Sequence, residues 1–301
     1  MVKNINLLMK ELKGNMKNPL ENVSKLNWGC YYLPLRWTFA TRYTNPINII
    51  SFFLIDALPS LYLVFALSDF RLELAVNWFI AFVTMFCFYE CGYIFNEIVS
   101  VRYEKNPTIR IPEPYFFLIL RHLENLITVR VVLGVLGSWF LMSMFPDNRG
   151  LYVFCVLLLL VTYSVHNFYR GKINALTMAI EVTLKYMIPI VIFIPDDRLI
   201  TSLSVVLLTI VLVRFIEYIS KKEFFPRIRV TRDVDSFRIK YYILICAISI
   251  VLVGIGIWSP ILCGLPFLFL VYRLLSWYVM NHVKHVAGII HEGRKHHGTD
   301  K

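Results

Sequence analysis

An all-α, polytopic transmembrane bundle is the fold class this sequence predicts, and three observations predict it. Hydrophobic residues make up 57% of the 301-residue chain. Apolar runs close to the roughly 20 residues that a helix needs to cross a bilayer recur eight times. Basic residues cluster in alternate connections between those runs, as the positive-inside rule requires. A soluble core needs neither so many nor such long apolar runs.

The expected spans are 46–68, 74–99, 126–145, 151–168, 174–194, 199–218, 241–258 and 262–280. The third is the least regular, because Arg130 lies inside it and the flank 115–123 is also apolar. Eight spans put both termini on one side. Segments 1–45, 100–125, 169–173, 219–240 and 281–301 then share that side and carry 24 of the 31 Lys and Arg. The opposite connections SDFRLE, FPDNRG and IPDDRL hold one Arg each, beside acids. Both termini are therefore expected in the cytoplasm. The net charge of +11 reads as topology and attraction to anionic lipid, not as nucleic-acid binding.

Three regions are expected: a cytoplasmic and interfacial segment (1–45), the bundle (46–280) and a basic tail (281–301). The first 26 residues lack an apolar core, so no cleavable signal peptide is expected. Residues 27–45, with Trp28, Tyr31, Tyr32, Trp37 and Tyr43, read as a lead-in at headgroup depth. The six cysteines have no CxxC spacing and stand mostly in apolar surroundings, which indicates packing rather than a disulfide or thiolate metal site. Five of the seven histidines fall in the tail, which reads as a basic strip on the lipid surface.

Ionisable side chains are costly at bilayer depth, at about 2.5 to 3.5 kcal/mol on the mildest scale. Asp56, Glu90, Arg130, Glu181, Lys185, Arg214, Glu217 and Arg273 nevertheless fall inside the expected spans. Either some form buried pairs that fix helix packing, or the group surrounds a polar cavity. In the second span Glu90, Tyr93, Glu97, Ser100 and Glu104 are spaced 3, 4, 3 and 4 apart and so share one helix face. Lys105, Arg110 and Pro107, Pro112 and Pro114 follow and hold the loop extended. Similar stripes end two other helices: Tyr163, His166, Asn167 and Arg170, then Arg214, Glu217, Tyr218 and Lys221, with Lys222 beyond. Stop-transfer flanks with snorkelling bases are the plain alternative, but such flanks need no Asn, His, Tyr or Glu on the same face.

A vestibule with acids and bases at its rim and apolar walls below suits a lipid with a phosphorylated head. Acids hold Mg²⁺ on a diphosphate, bases bind phosphate oxygens, and some of the 6 Trp, 17 Tyr and 23 Phe can face a developing cation. The order of these elements resembles the UbiA superfamily of intramembrane prenyltransferases. Its first signature, NDxxDxxxD, is matched by Asn96, Glu97, Ser100 and Glu104, and its following basic, proline-containing run by EKNPTIRIPEP. Tyr163, Ser164 and Arg170 match the element after its fourth helix, and EYISKKEFFPRIRVTRDVD stands at its second signature. The likeness spans about residues 35 to 280.

The resemblance implies catalytic positions at Asn96, Glu97, Ser100 and Glu104, with Mg²⁺ on Glu97 and Glu104. It implies a phosphate and substrate clamp of Lys105, Arg110, Arg170, Lys221 and Lys222, with Tyr163 and His166 shaping the rim. The expected substrates are a polyprenyl lipid and a diphosphate-bearing donor. Departures are plain: Ser100 replaces a carboxylate, the second DxxxD is missing, and the family's nine helices are eight here. The lysine pair and KNPTIR are more similar to the decaprenyl-phosphate phosphoribosyltransferase branch, so both prenyl transfer and phosphoribosyl transfer stay open. A transporter or lipid-handling protein, and a degenerate family member acting as a binding partner, are the alternatives from other classes.

Overall fold

In the computed structural model the described residues are 31–43, 46–100, 111, 113–169, 171–221 and 233–282. They contain helices and no strand. A short helix α1 (Arg36–Thr41) precedes the first span, α2 (Pro46–Leu67). Then follow α3 (Leu74–Ile98), a short α4 (Glu113–Arg121), α5 (Leu123–Met144), α6 (Arg149–Phe168) and α7 (Ile173–Val191). The last three are α8 (Asp196–Ser220), α9 (Val234–Gly254) and α10 (Pro260–His282). Eight of these helices are long and apolar enough to cross a membrane, which makes the chain a polytopic helical bundle. The apolar flank before the third span is the separate helix α4, and Arg130 sits fully buried within α5.

Successive spans run antiparallel, because most are joined by short connections, so Asn96, Asn167, Ile173, Tyr218 and His282 belong to one end of the bundle. α3 and α7 are its most enclosed spans, and α10 is its most peripheral, followed equally by α5 and α9. The outward residues Ile243, Leu244, Ile250, Val251, Val271 and Leu275 of α9 and α10 are exposed and apolar, as a lipid-facing surface must be.

Two spans depart from regular α-helix for reasons visible in the sequence. Pro59 has no N–H to give the Ile55 carbonyl four residues earlier, and the turn Phe53–Ala57 widens to a π-helix. The Tyr186 hydroxyl supplies the missing donor to Ile55 at 2.8 Å. A second π-turn, Leu207–Val211 in α8, has its Leu208 and Thr209 carbonyls met by the hydroxyls of Tyr241 and Tyr242. Backbone groups released inside a membrane must find partners within the protein, and tyrosines from neighbouring spans provide them.

The described part of the lead-in, 31–43, packs some of its side chains into the protein. Trp37 and Thr38 of α1 are 0% and 1% exposed, and two acids of α3 seven residues apart reach them. Glu90 accepts from the backbone N–H of Thr38 at 2.7 Å and of Leu35 at 3.1 Å. Leu35 adopts a left-handed conformation, with φ 68°, at the turn where that contact forms. Arg130 completes the arrangement by donating to Glu90 at 3.2 Å and to the Tyr31 carbonyl at 2.6 Å.

Candidate functional site

Of the stripe expected on the second span, Glu90, Tyr93 and Glu97 lie on α3, and they divide between two tasks. Glu90 and Glu97 face α1 and its flank. Glu97 accepts from the Trp37 indole N–H at 2.9 Å and from Arg42 at 2.8 Å. Tyr93 lies between these acids, with the Arg42 guanidinium 3.6 Å from its ring centre. Burial pulls the Arg42 pKa down, but Tyr93 and Glu97 outweigh it and the net direction is up, so this cation is permanent.

Arg42, Tyr93 and Asn96 form one wall of a cavity of about 230 Å³ at the end of the bundle that carries Asn96. Tyr89 continues that wall, Tyr163, His166 and Asn167 come from α6, Glu181 from α7 and Tyr218 from α8. Three of the polar helix tips read from the sequence therefore do meet around one space. Tyr163 packs edge-on against Tyr89 and Tyr93, with ring centres 5.0 and 6.4 Å away. Its ring lies flat on α3 where Gly92 leaves room, since a Cβ on Gly92 would stand 2.4 Å from the Tyr163 ring.

The polar floor of this cavity is Glu181. It is 5% exposed, its Oε1 has no hydrogen-bond partner among the described residues, and that atom stands 3.6 Å from His166 Nδ1. The His166 ring contacts the Thr177 hydroxyl at 2.8 Å, and Asn174 donates to the His166 backbone carbonyl at 3.2 Å. The imidazole is thus steered from its ring and its backbone. Asn167 donates to the Gly92 carbonyl at 3.4 Å while its own amide oxygen is buried without a partner. A buried carboxylate oxygen and a buried amide oxygen left unmet are costly, and both belong to cavity-lining residues.

Below the cavity a second polar cluster fills the bundle centre. Asp56, carried by the π-turn of α2, accepts from Lys185 at 2.7 Å and from Arg214 at 3.3 Å, and the Tyr186 hydroxyl, whose one proton is shared with the Ile55 carbonyl, lies 3.0 Å away. The second oxygen of Asp56 accepts from the Tyr43 hydroxyl at 2.5 Å. Burial is the main cause raising the Tyr43 phenol pKa well above its ordinary value, and Asp56 adds to it. Lys185 also lies 5.3 Å from the ring centre of Tyr89, which links this cluster to the cavity.

Of the expected site residues, Asn96, Tyr163 and His166 line the cavity. Glu97 is committed to Trp37 and Arg42, and Ser100 only approaches the Asn167 carbonyl at 3.5 Å. Lys221 ends its helix (Leu212–Lys221). Glu104, Lys105, Arg110, Arg170 and Lys222 lie outside the described residues. Both oxygens of Glu97 already serve protein donors, and no group of three or more His, Cys, Asp or Glu among the described residues is placed to hold a metal. The described residues therefore do not by themselves form a Mg²⁺ site. Arg42 was not expected at all; its signal was a lone base just before the first span. Compared with known proteins, the chain matches no protein-family model, no curated protein and no solved structure.

Proposed function

We propose that this protein is a membrane-embedded transferase that brings a polyprenyl lipid and a diphosphate-activated donor together at the cavity bounded by Arg42, Tyr93, Asn96, Tyr163, His166 and Glu181. One observation carries the reading: a buried, unmatched carboxylate oxygen of Glu181 beside His166, in a cavity to which five helical elements or their flanks contribute. Charged groups at membrane depth mark substrate paths and reaction centres. A volume of about 230 Å³ takes a headgroup rather than a whole lipid, so the isoprenoid lies among the spans.

In this reading Arg42 draws the negatively charged head by charge, with Asn96 of α3 on the same wall of the cavity. Tyr89, Tyr93 and Tyr163 present aromatic surfaces to positive charge developing at the donor carbon. His166, steered by Thr177 and Asn174, and Glu181 hold or move a proton near the reacting oxygen. Mg²⁺ enters only as the ion that accompanies a diphosphate, and no step depends on a protein-bound metal. The cavity end faces the cytoplasm on the positive-inside argument, where soluble phosphorylated donors are found.

The deciding experiment incubates membranes containing the full chain with labelled phosphoribosyl diphosphate or with labelled prenyl diphosphate, and asks which label enters lipid. Transfer of one label, lost in Glu181→Gln protein that is still inserted and folded, supports the proposal. Transfer of neither label, or equal transfer by the variant, overturns it in favour of lipid handling or a binding role.

A further inference from the structure

Among the described residues Arg273 is the intramembrane cation that forms no ion pair: Glu217 acts on it only through space, and its guanidinium lies 5.1 Å from the ring centre of Tyr272. Arg273 lies nine residues before the end of α10 at His282, about 13 Å along the helix axis at the usual rise. Its Nε is buried without a hydrogen-bond partner, and no acid among the described residues pairs with it. The other bases of this quarter are matched. Arg238 is held by Glu217 through two contacts of 2.5 and 2.7 Å and lies 3.5 Å from Asp235. Lys185 and Arg214 share Asp56.

These groups are contiguous, since Tyr242 is within electrostatic reach of Arg273, Arg214, Glu217 and Arg238. Four bases, Lys185, Arg214, Arg238 and Arg273, face three acids, Asp56, Glu217 and Asp235, which leaves one positive charge over. Placing a cation in hydrocarbon without a counter-charge is unfavourable. The neighbouring Tyr272 donates or accepts at 3.1 Å from Ser51 of α2, so α10 closes against the first span just where Arg273 sits. α10 is also the least buried span of the bundle.

We propose that Arg273 is the anchor of a binding site for the phosphate of a membrane lipid, entered sideways from the bilayer beside α10 and distinct from the Glu181 cavity. The chemistry recognised is a phosphate oxygen on a guanidinium, with the acyl or isoprenyl chains lying against the exposed Leu274 and Trp277, the latter one turn on from Arg273 on the same side of α10. The site stands whether or not the protein is a transferase, because it rests on the charge balance around Tyr242 and not on the cavity.

The test uses the purified full chain in mixed micelles with phosphatidic acid, with phosphate-free diacylglycerol, or with inorganic phosphate, and native mass spectrometry to count retained lipid. Wild-type protein should retain phosphatidic acid about tenfold better than Arg273→Gln, the loss expected for one charge-assisted contact, and Arg273→Lys should restore part of it. Inorganic phosphate that displaces the lipid would identify a site for free phosphate and overturn the lipid assignment. Equal retention by wild type and Arg273→Gln overturns the site. Should Arg273→Gln fail to fold, equal retention by the wild type of phosphatidic acid and of diacylglycerol, which lacks the phosphate, overturns it without the variant.

Discussion

Glu181 Oε1 stands 3.6 Å from His166 Nδ1, at a distance too long for a hydrogen bond and short enough for an electrostatic coupling that any ligand between or above the two groups will alter. The pair comes from adjacent antiparallel helices, α6 and α7, and Thr177 holds the ring from below.

Replacing Glu181 by Gln removes the charge and keeps the shape. Lipid labelling by the active donor is expected to fall at least about a hundredfold, within the range attributed to general acid–base groups. Thermal unfolding in detergent is expected to stay within about 1 kcal/mol of wild type, because a buried unmatched charge is lost. A large loss of stability with normal labelling would assign Glu181 to structure.

The Glu90 and Arg130 pair is fully buried, at 0% exposure for both side chains, and it holds the α1 flank. Arg130→Met alone leaves Glu90 uncompensated and should cost about 3 to 5 kcal/mol. Combining it with Glu90→Gln should recover part of that loss, and denaturant titration of the three variants measures the coupling.

Gly92→Ala drives a methyl group into the Tyr163 ring, where the Cβ would stand 2.4 Å away. Overpacking of this kind should cost about 1 to 3 kcal/mol. Gly92→Ala combined with Tyr163→Leu should regain stability, and a cross-comparison of melting temperatures reads it.

Tyr43 predicts an alkaline limit. Its folded pKa is raised, chiefly by burial, so the unfolded chain releases the phenol proton first. The stability linked to this group is fully present below about pH 10, the ordinary phenol value, and declines as pH rises above it. Tyr43→Phe should flatten the decline between wild type and variant, which melting curves measured across alkaline pH would show.

The number of spans and their limits were legible in the sequence because hydrocarbon thickness sets a length and the cost of exposed backbone sets a composition. Each expected span begins and ends within a few residues of a helix in the structure except the seventh, whose helix starts at Val234, where Asp233 caps the first turn through its side chain. That cap stands eight residues before the apolar run expected there. The meeting of the α3, α6 and α8 tips was also legible in part, as polar stripes at helical spacing.

What each polar residue meets across the bundle was not legible. Glu97 and Tyr93 lie on one face of one helix, yet Glu97 is spent on Trp37 and Arg42 while Tyr93 lines the cavity. Spacing along a chain fixes the face of a helix, and the sequence alone carried that. The partner on that face is set by how neighbouring helices pack and turn toward it, so only the tertiary structure decided that Glu90 and Glu97 pin residues 35–42, that Glu181 keeps an oxygen unmet, and that Arg273 forms no ion pair among the described residues.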